Sequence, residues 1–478
     1  MRCVRRAAVR PNHRIAVVAV SVVVTLAVCI GYTIADIYDV APGLLTAKSA
    51  PTRTYTSVPE PVAAGAVAGK VDRSVPIDAK KAKALVDELI KSQGVGDGTS
   101  VAIASADGTV VAERNLDTER EPASTVKTLT AFAAANTLEM SGTLDTEVYL
   151  THADSTPTIV LQGHGDMLLG AGQNDPSHIN GRAGLATLAQ RTAQALAQRG
   201  IGQVALAVDD TLFGDDNISS ALEQNNDGDA MYTPLSSMAV DGGRMRYGMA
   251  ADPDAFTDYP TLSRTTASDA AETFRELLSA QGITVTDSSD TSGIDASARI
   301  ATVSSAPLNE IMAFMLRHSD NTLAELFARL TALKLGTGNS MSADIQAVTQ
   351  VLRKQGIPTQ GLRLTSCSGL AAGTRLRIPT LLAVQRSLVA LDTPGAAELE
   401  GLSVPGLTGT AKNRAASDGV KGLARVKTGS LGGVRAMAGN VSREHGGVLL
   451  FAVIVNDSSD ELAANDAIDE FMAGLAKL

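Results

Sequence analysis

The sequence is poor in the residues that often stabilise small exported domains. Its 478 residues include no tryptophan, 3 cysteines and 3% aromatic residues. Cys3 and Cys29 lie in the N-terminal 35 residues, so Cys367 is the only cysteine of the remaining chain. A disulfide framework is therefore excluded, and the fold must be stabilised by packing. Nothing near Cys367 suggests a histidine partner, so we do not expect it to be a nucleophile.

Basic residues are also scarce relative to acidic ones. The chain has 41 lysines and arginines against 51 acidic residues, with a net charge of −10. Residues 1–14 hold five arginines and no acidic residue, so the rest of the chain is more acidic than the net charge indicates. An acidic body argues against nucleic acid as a partner. No group of residues has metal-ligand spacing, and we expect no metal and no other cofactor.

One uncharged apolar run of 21 residues covers positions 15–35. It is long enough to span a bilayer, and the arginines before it place that end in the cytoplasm. We therefore expect residues 1–35 to be a membrane anchor or signal segment that meets the membrane through residues 15–35. The protein would be a single-pass protein of the cell membrane with its body outside the cytoplasm. It would be secreted if the segment is cleaved after Ala35.

The remaining chain changes character several times. Residues 36–76 are rich in Pro, Ala, Thr and Ser and are typical of a tether. Between 150 and 298, apolar strands alternate with amphipathic helices, and two of these helices are expected over 185–197 and 267–278. This alternation predicts an inserted α/β region. The outer segments, 77–149 and 299–478, are expected to form one interrupted body, the catalytic domain.

The outer segments carry clear turn and strand signals. A hairpin is predicted over 101–112 around Ala106-Asp107-Gly108. Near the C-terminus, three strands separated by short turns predict an antiparallel meander over 423–428, 434–441 and 448–455. A final helix over 460–475 is expected to cover this sheet with one apolar face. The residues expected on that face are Leu462, Ile468, Phe471, Met472 and Leu475.

Three short motifs carry the functional prediction. Ser124 and Lys127 are three residues apart in a helix predicted to begin at Pro122, so they share one face. A hydroxyl at a helix N-terminus beside a buried amine is typical of an activated nucleophile. Ser319-Asp320-Asn321 follows near the start of a later helix, and Lys427-Thr428-Gly429-Ser430 lies on the first meander strand. This combination occurs in β-lactamases and penicillin-binding proteins.

The motifs and their spacing resemble those of the class C low-molecular-mass penicillin-binding proteins, of the D-alanyl-D-alanine carboxypeptidase/endopeptidase type. Ser124 and Ser319 are 195 positions apart, which leaves room for the domains that this family inserts after the nucleophile helix. The resemblance covers roughly 80–478. It departs at residues 366–370, where Ser-Cys-Ser-Gly-Leu replaces the usual Asp-Gly-Ser-Gly-Leu. Other matching stretches are Gly163-His164-Gly165-Asp166, Tyr232-Thr233-Pro234-Leu235-Ser236-Ser237, Val404-Pro405-Gly406 with Gly409-Thr410, and Gly439-Asn440-Val441.

The resemblance implies the α/β (α+β) transpeptidase fold of penicillin-binding proteins and β-lactamases. In this fold an antiparallel sheet is flanked by helices, here with a large inserted α/β region. The implied activity is that of a serine D-alanyl-D-alanine carboxypeptidase/endopeptidase acting on peptidoglycan stem peptides. β-Lactam antibiotics would bind at the same site.

Each motif residue has an expected chemical role. Ser124 would attack the D-Ala-D-Ala carbonyl and form an acyl-enzyme, with Lys127 as a base kept neutral by burial and by the nearby charge of Lys427. Ser319 would relay a proton to the leaving amine, and Asn321 would hold the substrate amide. Lys427 would face the substrate's terminal carboxylate. The residues expected to bind substrate beside it are Thr428, Gly429 and Ser430. The family implies an oxyanion hole formed by the N–H groups of Ser124 and Ser430.

Two alternative functions remain open at this point. A class A β-lactamase needs a carboxylate base to deacylate a bound drug, and no glutamate occurs between positions 326 and 397. A non-catalytic wall-binding or drug-sensing module on the same fold would not need the catalytic set. Every catalytic residue type is present, which argues against such a module.

Overall fold

The computed structural model describes residues 11–38, 40–41, 75–151, 157–247, 259–390, 393–414 and 420–478. The chain divides into two units, Met1–Lys70 and Val71–Leu478. In the first unit, helix α1 (Pro11–Ile37) includes a stretch, Ala16–Ile37, that is long and apolar enough to cross a membrane. This helix is compatible with the predicted anchor and equally with a signal sequence. Most of the predicted tether, 36–76, lies outside the described residues.

The second unit combines helices with three sheets within its described part. The helices are α2 (Ala79–Lys91), α3 (Val126–Ala135), α4 (Leu185–Ala197), α5 (Ser220–Glu223), α6 (Thr266–Ala280), α7 (Leu308–His318), α8 (Asn321–Leu335), α9 (Met341–Lys354), α10 (Ile378–Val389) and α11 (Glu461–Leu475). The strands are β1 (Thr99–Ser105), β2 (Val110–Arg114), β3 (Asp145–Thr151), β4 (Thr158–Gly163), β5 (Asp166–Leu169), β6 (Gln203–Asp209), β7 (Met238–Val240), β8 (Thr284–Asp287), β9 (Arg299–Ser304), β10 (Ala424–Leu431), β11 (Val434–Ser442) and β12 (Val448–Val455).

The first sheet is antiparallel and has the strand order β10-β11-β12-β1-β2. It joins the predicted meander to the predicted hairpin, because β1 pairs with β12 along its whole length. Successive side chains of a strand point to opposite faces of the sheet. Accordingly, Phe451 packs in a core with α2 and α11, whereas Leu450 packs in a second core with α3, α9 and α10. An antiparallel sheet flanked by helices is the fold class predicted from the motifs.

The second sheet is mixed and has the order β8-β6-β4-β3-β9. β3 pairs antiparallel with β4 and β9, while β4, β6 and β8 pair in parallel. Helices α4 and α6, close to the predicted 185–197 and 267–278, pack on it in a core of their own. The short strands β5 and β7 form a separate parallel pair. Strand β3 begins before position 150 and β9 begins after position 298, although both belong to this sheet. The limits of the inserted region therefore stay a prediction.

One core prediction is wrong. Leu462 is 77% exposed, although Ile468, Phe471, Met472 and Leu475 are buried as expected. Asp460 caps the helix by accepting from the N–H of Ala463. Leu462 precedes Ile468 by six residues, about 1.7 helical turns, which places it on the far side of α11 from the sheet.

Candidate active site

Ser124 lies in a short 3-10 turn, Ala123–Thr125, directly before α3. The predicted α-helix beginning at Pro122 therefore starts four residues later, at Val126. Ala123 has a φ of 46°, a left-handed conformation that is strained for a residue with a side chain. This turn leaves Ser124 partly exposed, while Lys127 in the first turn of α3 is fully buried.

The Lys127 amine lies at the centre of the site. Its Nζ donates to the Oγ of Ser124 at 3.0 Å, to the Oδ1 of Asn321 at 2.7 Å and to the carbonyl of Ser368 at 2.7 Å. Burial lowers the pKa of Lys127 to about 7, against the carboxylates of Asp320 and Glu325, which raise it. A substantial fraction of this lysine is therefore neutral near neutral pH and able to accept the proton of the Ser124 hydroxyl.

Ser319 and Asn321 lie where two helices meet. Ser319 ends α7 with a φ of 56°, and Asn321 begins α8. Asp320 caps α8, because its Oδ1 accepts from the N–H of Leu323 at 2.9 Å. The Asn321 amide is held on both sides, since its Oδ1 accepts from Lys127 and its Nδ2 donates to the carbonyl of Met231 at 2.9 Å. The sharp turn between the helices directs the Asn321 side chain toward Lys127 and the Ser319 side chain toward Lys427.

Lys427 reaches the site from strand β10. Its Nζ donates to the Oγ of Ser319 and to the carbonyl of Thr428, both at 2.8 Å. Burial lowers the pKa of Lys427 well below its usual range, and the positive charge of Lys127 lowers it further. Burial and the charge of Lys427 were both predicted to lower the pKa of Lys127, and burial is the main cause of the lowered pKa of each lysine. The five predicted catalytic residues thus form two hydrogen-bonded groups, Ser124-Lys127-Asn321 and Ser319-Lys427, which the Ser319-Asp320-Asn321 turn holds side by side.

Strand β10 is an edge strand of the first sheet, and the turn that carries Ser124 packs against it at Gly429. Val426 exchanges two backbone hydrogen bonds with Ser403 at this edge, each 2.8 Å long. Backbone groups alternate between the two edges of a strand, so those of Thr428 and Ser430 point the same way as those of Val426. A side chain at Gly429 would place its Cβ 2.8 Å from the carbonyl oxygen of Pro122, so glycine permits this close approach.

The Thr428 hydroxyl is 2.7 Å from the hydroxyl of Thr410, in one of the stretches noted in the sequence. The Ser430 side chain is exposed at the same edge. Thr428 is therefore buried in this contact, whereas Ser430 offers an exposed hydroxyl close to Lys427 in the chain.

The segment in which the sequence departs from the family pattern lies directly behind Lys127. Ser366 Oγ accepts from the N–H groups of Gly369 and Ala371 at 3.1 and 3.3 Å, so serine still closes a turn here. The buried Glu325 carboxylate accepts from the N–H groups of Cys367 and Ser368, the latter at 2.8 Å. This arrangement aims the Ser368 carbonyl at Lys127. Burial raises the pKa of the free Cys367 thiol well above its usual value, which disfavours a reactive thiolate.

Two groups that hold the Lys127 amine in place, the Glu325 carboxyl and the Ser368 carbonyl, were not predicted from the sequence. Glu325 follows Asn321 by four residues on α8, so the two share a helix face. An acidic residue inside an otherwise apolar helix is a recognisable pattern, and it could have been found. Ser368 contributes through its carbonyl group, which leaves no mark on the sequence.

The chain is similar to known peptidases in sequence and in fold. Residues 82–256 and 249–475 match the model of the D-Ala-D-Ala carboxypeptidase 3 (S13) family. Carboxypeptidase DacB of Mycolicibacterium smegmatis is 30% identical over 443 residues, which cover 91% of this chain and 93% of that protein. Carboxypeptidase Rv3627c of Mycobacterium tuberculosis is 31% identical over 354 residues, covering 72% and 73% of the two chains.

The fold has a solved counterpart. Penicillin binding protein 4 (dacB) from Haemophilus influenzae aligns with a TM-score of 0.65 at 19% identity, covering 84% of this chain and 100% of that one. The family match, the two carboxypeptidases and this fold confirm the resemblance inferred from the motifs. The chain belongs to the D-Ala-D-Ala carboxypeptidase 3 (S13) family, and it is a peptidase with the fold of a penicillin-binding protein.

Proposed function

We propose that this chain is a serine D-alanyl-D-alanine carboxypeptidase/endopeptidase that cleaves peptidoglycan stem peptides through an acyl-enzyme on Ser124. β-Lactam antibiotics acylate the same serine. The observation that carries the proposal is the 3.0 Å contact between the Ser124 hydroxyl and the amine of Lys127, which is fully buried. Burial keeps this amine partly neutral, and a neutral amine is the base that a serine nucleophile needs.

Acylation transfers one proton and exchanges one bond. Lys127 accepts the proton of the Ser124 hydroxyl while Oγ attacks the carbonyl carbon between the two D-alanines. The Oγ–C bond forms, and the C–N bond breaks. The proton that Lys127 accepted then passes through the hydroxyl of Ser319, which the amine of Lys427 contacts at 2.8 Å, to the departing amine, so that Lys127 is neutral again. Water then hydrolyses the ester, which releases the shortened peptide and regenerates Ser124.

The outer edge of β10 suits an extended peptide. Unpaired N–H and C=O groups of an edge strand can hydrogen-bond a peptide laid beside them. The outward N–H of Ser430 then joins the N–H of Ser124 as an oxyanion hole, while the charged form of Lys427 binds the terminal carboxylate. The hydroxyls of Thr428 and Ser430 lie along the same path. A carboxylate bound there favours the ammonium form of Lys427.

The purified protein is expected to release D-alanine from stem peptides that end in D-Ala-D-Ala and to be inactivated by penicillin. The measurement is product analysis by mass spectrometry on defined stem peptides and on cross-linked dimers, which also separates carboxypeptidase from endopeptidase cleavage. Rapid turnover of penicillin without peptide cleavage would instead support a β-lactamase. Penicillin binding without any cleavage or turnover would support a drug-sensing module. Either result would contradict the proposal.

The protein is placed at the outer face of the cell membrane by α1, or is secreted if α1 is removed. A chain that lacks residues 1–35 should be soluble and retain full activity, because every proposed site residue lies at position 124 or later. Penicillin labelling and D-alanine release from the soluble fraction measure this, with the full-length chain in detergent as the control. A truncated chain that folds but no longer binds penicillin would rule out a simple anchoring role for residues 1–35.

A further inference from the structure

An unusual turn precedes Arg244 in the stretch between β7 and α6. Three consecutive residues, Asp241, Gly242 and Gly243, have φ values of 51°, 62° and 78°. Asp241 is strained in this conformation, whereas glycine adopts it freely. A Cβ at Gly242 would lie 2.4 Å from an Nη atom of Arg244, so the guanidinium folds back over this glycine. The turn therefore fixes where the guanidinium points.

The Arg244 guanidinium ends at the Ser319-Asp320-Asn321 motif. One Nη donates to the carbonyl of Asp241 at 3.0 Å, and the other donates to the Oδ2 of Asp320 at 2.8 Å. The side chains of Arg244 and Asp320 are 11% and 10% exposed. Asp320 is thus held from two directions, since its other oxygen caps α8. Ser319 and Asn321, its two neighbours in the chain, both contact the proposed catalytic lysines.

We infer that Arg244 is a positioning residue of the peptidase reaction, which fixes the turn between α7 and α8 and offsets the carboxylate charge of Asp320 beside Lys127. The inference rests on the proposed function, since it assigns a role toward the same base. It also connects a residue of the predicted inserted region to the catalytic motif. Arg244 needs no contact with substrate for this role.

The charges around Lys127 give the inference a signature that packing alone would not produce. The groups that face its amine are Asp320 and Glu325 near the start of α8 and Lys427 on β10. The Asp320 carboxylate raises the pKa of Lys127. Loss of the Arg244 charge leaves this carboxylate unopposed, so the pKa of Lys127 rises. Because the base must be neutral, the acid limb of the rate profile then moves to higher pH.

His318 supplies an independent readout at the same turn. Burial lowers the pKa of His318 to about 4; Asp320 raises it, while Arg317 and Arg244 lower it further. Loss of the Arg244 charge should therefore raise the pKa of His318. A histidine resonance followed by NMR against pH would show this change without any substrate.

The experiment compares Arg244→Gln and Arg244→Lys with Arg275→Gln in full-length protein. Arg275 is a matched control, because it pairs with Glu272 and Asp287 in the same stretch of chain and contacts none of the site residues. Arg244→Gln should slow acylation by penicillin about 10- to 100-fold, since small misplacements of reacting groups have effects of this size. Its acid limb should move to higher pH. Arg244→Lys keeps the charge, so its acid limb should stay in place while the rate falls.

The double variant Arg244→Gln/Asp320→Asn tests the stated route. Its acid limb should lie at lower pH than that of Arg244→Gln alone, because the Asp320 carboxylate that raises the pKa of Lys127 is gone. An Arg244→Gln variant with the acylation rate and pH profile of Arg275→Gln would overturn the inference, as would an unchanged acid limb in a slower variant. Should Arg244→Gln not fold, an Arg244→Lys variant with the full wild-type rate would equally overturn it. Failure of the proposed function would give a different result, because penicillin would then still label the Ser124→Ala variant.

Discussion

Replacing Lys427 by alanine is expected to slow acylation of Ser124 by about 30- to 150-fold, because it removes a charge-assisted contact to the substrate carboxylate worth about 2–3 kcal/mol. The contacts of Lys427 with the Ser319 hydroxyl and the Thr428 carbonyl are lost at the same time. The measurement is the acylation rate with a fluorescent penicillin across the pH range.

The same substitution should also move the pH profile. Lys127 acts as a base only when it is neutral, so the wild-type rate should fall as the pH drops through the Lys127 pKa of about 7. When the carboxylate of bound penicillin keeps Lys427 charged, the two buried amines repel each other, and this coupling is reciprocal. Removing the positive charge of Lys427 lets the pKa of Lys127 rise, so a higher pH is needed for the same neutral fraction. The acid limb should therefore shift upward.

Lys427→Arg is the matched control for this variant. Arginine keeps the charge but has a planar guanidinium that does not fit the same contacts. It should lose rate while keeping most of the wild-type pH profile. An unchanged pH profile in Lys427→Ala, with affinity alone reduced, would show that Lys427 only anchors the carboxylate. Burial alone would then keep Lys127 neutral.

The sequence predicted the elements that carry the catalytic motifs because their patterns are local. The 101–112 hairpin and the meander follow from turn residues between apolar runs, and α8 begins at Asn321 with Asp320 as its cap. Leu462 shows the limit of this reasoning. It is apolar like the buried residues of α11, but its position in the helix places it on the exposed side. The pairing of β1 with β12 joins distant segments, and the sequence did not predict it.

The site could be predicted where chemistry requires side chains in a recognisable spacing. Lys127 is close to Ser124 in the chain, so their contact follows from helix geometry. The groups that contact Lys127 or its neighbours from distant segments could not be predicted in the same way. Ser368 acts through a carbonyl, and Arg244 reaches Asp320 from 76 residues away after a turn with three positive φ values. Such contacts depend on how separate segments pack, which leaves no periodic pattern in the sequence.

Replacing Ser124 by alanine should have the largest effect of any substitution in this chain. The alanine side chain has no oxygen to attack a carbonyl, so neither the peptide nor penicillin can form an ester with the enzyme at this position. The rate of D-alanine release should fall on the order of 10⁶-fold, as in other serine peptidases that lose their nucleophile. The fold should be retained, because the Ser124 side chain is partly exposed and its removal leaves no buried cavity.

Ser141→Ala is a suitable control, because Ser141 is an exposed serine that contacts Glu139 and none of the site residues. It should be labelled by penicillin and release D-alanine like the wild type. Near-ultraviolet circular dichroism of both variants would show that any loss is chemical and does not come from unfolding.

The central claim is that Ser124 is the acylated residue. Its most direct measurement is mass spectrometry of proteolytic peptides after reaction of the protein with penicillin. We predict a single adduct on the peptide that contains Ser124, and no adduct in Ser124→Ala. An adduct on another residue, or undiminished labelling of the alanine variant, would contradict the account.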